Sequence, residues 1–155
     1  MYQHENRPFD AESYKINDSR AKATLKNYLI KRGFHSIEDN ENYSFDLTGY
    51  KDNKKYLFEV EIKNQWLDVW PNSWQEIRIP KRKERLILEW KKSFSACPFY
   101  FVILNHNMDY AWLIDAEKVR WAKTGKIKNS TKTNAPHLKE PFYHIDKDKA
   151  LLIAI

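Results

Sequence analysis

Two stretches, Tyr43 to Tyr50 and Lys55 to Lys63, flank a turn-like Lys51-Asp52-Asn53-Lys54 and read as the strands of a β-hairpin. No other feature of the chain restricts the fold as strongly, because a tight turn dictates which residues of its two strands face one another. With the turn centred on Asp52-Asn53, Asp46 faces Glu59, and Glu61 is its diagonal neighbour on the same side. Diagonal side chains lie roughly 7 to 8 Å apart, within reach of one shared cation. The second strand alternates Val60 and Ile62 against Glu59, Glu61 and Lys63, with a break in parity at Leu57-Phe58.

Around this hairpin the pattern predicts an α/β fold, a mixed β-sheet flanked by helices, in a single domain spanning residues 1–155. Residues 1–17 are polar and aperiodic, with Arg7-Pro8 as a breaker, and read as an N-terminal arm. Asp18-Ser19 then supplies a capping signal for a helix from Arg20 to Arg32, with Ala21, Leu25, Tyr28 and Leu29 on one face and Gly33 closing it. After the hairpin, Trp66, Trp70 and Trp74 recur every fourth residue in a segment that reads equally as a loop or as a broken helical turn. Glu76 to Ile79 is a third strand. Pro80 leads into a helix with Lys81, Arg82 and Lys83 in its first turn and Arg85, Leu86, Trp90 and Phe94 spaced for packing.

Phe99 to Leu104 is an unbroken apolar run, the pattern of a strand covered on both faces and therefore central in the sheet. Asn105-His106-Asn107 turns the chain into a strand from Tyr110 to Ile114, and Asp115 caps a helix to about Lys123. Residues 124–139 are rich in Lys, Asn, Ser and Thr and read as a long basic loop, followed by short elements at Phe142 to Ile145 and Leu151 to Ile155.

Composition narrows the class. At 155 residues and 42% hydrophobic, the chain is long enough for one proper core. The lone Cys97 excludes a disulfide within the chain and a Cys-built zinc site, and His35, His106, His137 and His144 show no metal-ligand spacing. No apolar run approaches the roughly 18 residues that a membrane span needs, so the expectation is a soluble, cytoplasmic protein with no membrane partner. A formal charge of +6 favours an anionic partner.

The chemistry resides in the hairpin. Clustered carboxylates repel, and the usual resolutions are a raised pKa or a bound divalent cation. Oxygen-only ligands with room for water and phosphate suit Mg²⁺ or Mn²⁺. Such an ion polarises a phosphoryl oxygen and lowers the pKa of its water, while Lys63 orients the nucleophile or stabilises developing negative charge.

Asp46 within Phe45-Asp46-Leu47, followed fifteen residues later by Glu61-Ile62-Lys63, resembles the active-site motif of the PD-(D/E)xK nuclease superfamily. The resemblance implies a restriction-endonuclease-like core (αβββαβ), covering roughly Asp18 to Ile114, in a metal-dependent deoxyribonuclease. It also implies that Asp46, Glu61 and the Ile62 carbonyl hold the metal and that Lys63 is the catalytic lysine. Ser44 and Phe45 stand where the proline that names the motif would be. Many members add an acidic residue from the first helix; Glu12 and Asp18 are the candidates here. Glu59 is either a stand-in metal ligand or a solvated strand residue.

Lys81, Arg82, Lys83 and Arg85, together with Lys126, Lys128 and Lys132 of the basic loop, are the expected phosphate contacts, and Gln65 or Gln75 could read base edges. Positive charge in a helix's first turn opposes the macrodipole, which favours a ligand-directed purpose for Lys81 to Lys83. The tryptophans serve either as core or as stacking surfaces. His144 beside the basic loop is a further candidate. The combined expectation is an endonuclease of phage, homing, repair or junction-resolving type, acting as a homodimer on DNA. The alternatives are an inactive nucleic-acid-binding protein of the same fold and a partner-binding module with an exposed tryptophan patch.

Overall fold

The computed structural model describes residues 11–40, 45–126 and 141–155. Helix α1 spans Ala11–Lys31, the next strands are β1 (His35–Asp39), β2 (Leu47–Lys51), β3 (Lys54–Lys63) and β4 (Glu76–Pro80), and a 3₁₀ turn at Lys81–Lys83 opens α2 (Glu84–Ser93). Then follow β5 (Phe99–Asn105), β6 (Tyr110–Asp115), α3 (Ala116–Arg120), β7 (Lys123–Lys126), β8 (Pro141–Asp146) and β9 (Leu151–Ala154). Among the described residues the strands form a six-stranded mixed sheet ordered β1-β2-β3-β5-β6-β9 and a three-stranded sheet ordered β4-β8-β7.

The hairpin forms in the expected register: Leu47 pairs with Phe58 and Thr48 with Leu57. Asp52 and Asn53 both adopt positive φ, at 52° and 62°, as a two-residue hairpin turn requires. The parity break has a physical cause, because β3 is covered on both faces. Leu57 packs among Phe99, Phe101, Ile103 and the α2 residues Leu86, Ile87 and Trp90. Phe58 and Val60 pack beneath Ala21, Leu25 and Leu29 of α1. β5 lies beside β3, parallel to it, and its other neighbour β6 is antiparallel, so the apolar run of β5 is interior as expected.

Several expectations are corrected. The arm proposed for residues 1–17 is helical from Ala11 onward, and residues 1–10 lie outside the described residues. Asp18 is not a cap: its carboxylate pairs with Lys22 one turn on at 3.3 Å, and Lys22 also reaches Asp39 of β1 at 2.9 Å. The C-terminal end is as expected, with Gly33 at φ 93° and the Phe34 N–H donating to the Leu29 carbonyl. β1 was not anticipated, since it is a polar edge strand interrupted at Ser36, which has φ 52°, and it carries no apolar alternation.

β4 is a strand, but it pairs with β8 rather than joining the main sheet. α3 ends at Arg120, because Lys123 begins β7 against β8. Residues 124–126 are thus strand rather than loop, and residues 127–140 lie outside the described residues.

The tryptophan alternatives resolve toward packing. Trp66 is 1% exposed and donates its indole N–H to the Asp68 carbonyl, and Trp70 stands edge-on to both Trp66 and Trp74 at 5.1 and 5.0 Å. Truncating a buried aromatic of this size costs about 3–5 kcal/mol through lost burial and a residual cavity. Trp66→Ala is therefore expected to lower the urea midpoint sharply. A variant with an unchanged midpoint and a selective loss of DNA affinity would instead favour the stacking alternative.

Candidate active site

The register that pairs Leu47 with Phe58 places Asp46 opposite Glu59 at the open end of the hairpin, and the two residues interlock. The Asp46 N–H donates to Glu59 Oε1 at 3.2 Å, and the Val60 N–H donates to Asp46 Oδ2 at 2.9 Å. Glu59 Oε2 accepts from the ammonium of Lys83 at 2.7 Å. Little of either partner is exposed, with side-chain accessibilities of 16% for Lys83 and 7% for Glu59. One carboxylate thus anchors both the backbone of Asp46 and a lysine from the 3₁₀ turn after β4.

Above this triad lies a cleft of about 190 Å³, lined by Asp46, Glu59, Glu61 and Ile62 of the hairpin and by Arg82 and Lys83. Asp18 and Ala21 close it from α1, and Asn64 closes it beyond β3. Four of the residues singled out for metal or catalysis therefore converge: Asp46, Glu61, Ile62 and Glu59. Of the two first-helix acids considered, Asp18 reaches the cleft wall.

Lys63 is placed differently. It is not among the residues lining the cleft. Its ammonium lies over the Trp74 ring, 5.3 Å from the centroid, and burial lowers its pKa, as does the Arg78 guanidinium. Arg82 and Lys83 line the cleft, whereas Lys81, Arg85 and the exposed Gln65 and Gln75 do not. Lys126 belongs to β7, and Lys128 and Lys132 lie outside the described residues.

Lys83 corrects the picture of a uniformly solvated basic turn. Burial, the largest single effect, would lower its pKa, but the charge and hydrogen bond of Glu59 together with the charges of Glu61 and Asp46 outweigh it and the net shift is upward. The apparent conflict with the α2 dipole also disappears, since Lys81 to Lys83 form a separate turn and Glu84 occupies the first turn of the helix proper. His144 is not among the cleft-lining residues and contacts Glu76 at 3.3 Å and the Gly125 carbonyl at 3.3 Å. The signal for Lys83 was present in the sequence as a basic residue without a helix-stabilising purpose; its direction depended on a 3₁₀ turn that spacing does not reveal.

The acids are electrostatically frustrated. Burial, followed by the charge of Glu59, raises the Asp46 pKa to about 7, against the opposing Val60 N–H bond. Burial likewise raises that of Glu61, opposed by Lys83 and Arg82. Glu59 is already engaged by Lys83 and by the Asp46 N–H, and among the described residues no group of three His, Cys, Asp or Glu side chains is arranged to hold a metal ion. Beyond Asp18, which is paired with Lys22, and Asn64, whose side-chain oxygen lies 3.3 Å from His106, the carboxyls of Asp46 and Glu61 are the oxygen donors of the cleft and Ile62 lines it beside them, a hard-ligand set that could hold a small divalent cation keeping several waters.

A carboxyl whose folded pKa exceeds its unfolded value binds more protons when folded, so stability falls as pH rises between the two values. For Asp46 that window runs from the ordinary 3.8 to about 7. In EDTA, the wild type is expected to lose up to about 4 kcal/mol of stability across it, and Asp46→Asn should flatten the slope. Denaturant unfolding between these pH values measures both. An identical slope in the variant would show that Asp46 titrates normally. No protein-family model matches the chain, and no curated protein is significantly similar to it in sequence.

Proposed function

We propose that the protein is a metal-dependent endonuclease that hydrolyses phosphodiester bonds of DNA in the cleft at the open end of the hairpin. The observation that carries this reading is the meeting of Asp46 and Glu61, two carboxyls with raised pKa, on the wall of a cleft whose rim supplies Arg82 and Lys83. Acids brought together against their own repulsion, next to cations, suit a site that takes both a divalent cation and a phosphate.

The topology adds support. α1, β1, β2, β3, α2 and β5 follow one another in the αβββαβ order that the resemblance to PD-(D/E)xK nucleases implies, with β4 interposed and β5 parallel to β3. The cleft draws on the C-terminal half of β3, in keeping with the rule that open α/β sheets bind ligands beyond the carboxyl ends of their strands.

Asp46 and Glu61, with the Ile62 carbonyl, would hold Mg²⁺ or Mn²⁺. Such a cation, when bound, lowers the pKa of a coordinated water and polarises a phosphoryl oxygen. The chain's own part is positional. Val60 N–H fixes one oxygen of Asp46, Glu59 fixes its backbone, and Arg82 lines the path along which a phosphate would approach. Lys63 follows Glu61 two residues on along β3, as the motif requires in sequence. A homodimer would present two such clefts to the two strands of a duplex.

Supercoiled plasmid and branched DNA, incubated with Mg²⁺, Mn²⁺ or EDTA, test the proposal. Wild type is expected to nick or cut in metal and not in EDTA, and Asp46→Asn and Glu61→Gln should each lose about a hundred-fold in rate or more. Salt-sensitive binding with no cleavage in any metal would favour the inactive nucleic-acid-binding protein of the same fold.

A further inference from the structure

The cleft contains more acid than a phosphodiester tolerates unless a cation meets it there. Lys63 does not line this space: its ammonium is held against the Trp74 ring and influenced by Arg78, although Glu61 feels its charge. Lys83 does line it, and its charge is felt by both Asp46 and Glu61. An ammonium carries three N–H donors. Among the described residues Lys83 donates to Glu59 Oε2, which leaves donor capacity at a fixed position beside the two acids.

We infer that Lys83, rather than Lys63, is the lysine that contacts the phosphate of a DNA strand in this cleft, with Glu59 serving as the anchor that aims it. The inference rests on the nuclease reading for the identity of the ligand but not for its logic, since an anion of any fate would meet the same ammonium. Glu59 then belongs to the lysine and not to the metal. Its two oxygens orient Lys83 and the Asp46 backbone together, so the cation and the first acid keep a constant separation.

A fluorescein-labelled DNA oligonucleotide, titrated in Ca²⁺ and in EDTA at several salt concentrations, separates the two lysines without requiring turnover. Lys83→Met should weaken binding by about ten-fold, the loss expected for one charge-assisted hydrogen bond, and should reduce the slope of log Kd against log salt by about one. A purely structural lysine would leave that slope unchanged. Because Lys83→Met strands the Glu59 carboxylate, the double variant Glu59→Gln/Lys83→Met removes the pair as a unit and should show the same binding loss in a stably folded protein. Lys118→Met, on the exposed face of α3, controls for net charge and should bind as wild type does.

Loss of affinity and slope confined to Lys63→Met, with the Lys83 variants binding normally, overturns the inference whether or not the wild type cuts DNA. Lys83-dependent binding by a wild type that never cleaves sustains the inference and removes the nuclease reading. Metal-dependent cleavage with Lys83-independent binding does the reverse, and absence of binding by the wild type overturns both.

Discussion

The buried ion pair between Glu59 and Lys83 is the interaction on which the cleft depends. Its partners come from β3 and from the turn after β4, and each is largely withdrawn from water. Desolvating two charges costs several kcal/mol per ion, recovered only when geometry and further hydrogen bonds are good. Here Glu59 has a second partner in the Asp46 N–H, so neither of its oxygens is left unsatisfied. The pair ties the crossover between β3 and β5 to the hairpin, and through its second oxygen Glu59 holds the backbone of the first acid of the cleft.

That arrangement is possible because β3 changes character along its length. Its first half contributes Leu57 and Phe58 to opposite cores, one under α2 and one under α1. Its second half carries Glu59 and Glu61, which line the cleft, and Lys63, which lies over Trp74. β4 leaves the main sheet to pair with β8, and the turn that follows it brings Arg82 and Lys83 to the cleft over the charged half of β3.

How much of this was legible in the sequence follows from which interactions are local. The Asp46–Glu59 juxtaposition was readable because a two-residue turn determines register, and the Phe99–Leu104 run was readable because only a doubly covered strand tolerates it. β1 was not readable, because an edge strand needs no apolar face and Ser36 interrupts even its backbone regularity. The start of α1 was misplaced because Asp18 carries the chemistry of a cap yet satisfies itself by pairing with Lys22. The partner of β4 was beyond reach, since a strand's pattern reports that one face is buried and not which strand lies alongside.

The acids and the cation of the cleft differ in the same way. Asp46, Glu59 and Glu61 are brought together by one hairpin, so their mutual repulsion exists as soon as that hairpin forms. Lys83 arrives from a turn 24 residues along the chain from Glu59, and its charge compensates the cluster only when the crossover docks. Local repulsion relieved by a distant cation couples completion of the cleft to completion of the fold. Residual frustration at Asp46 and Glu61, which the pair does not remove, persists in the finished cleft as the raised pKa of both carboxyls.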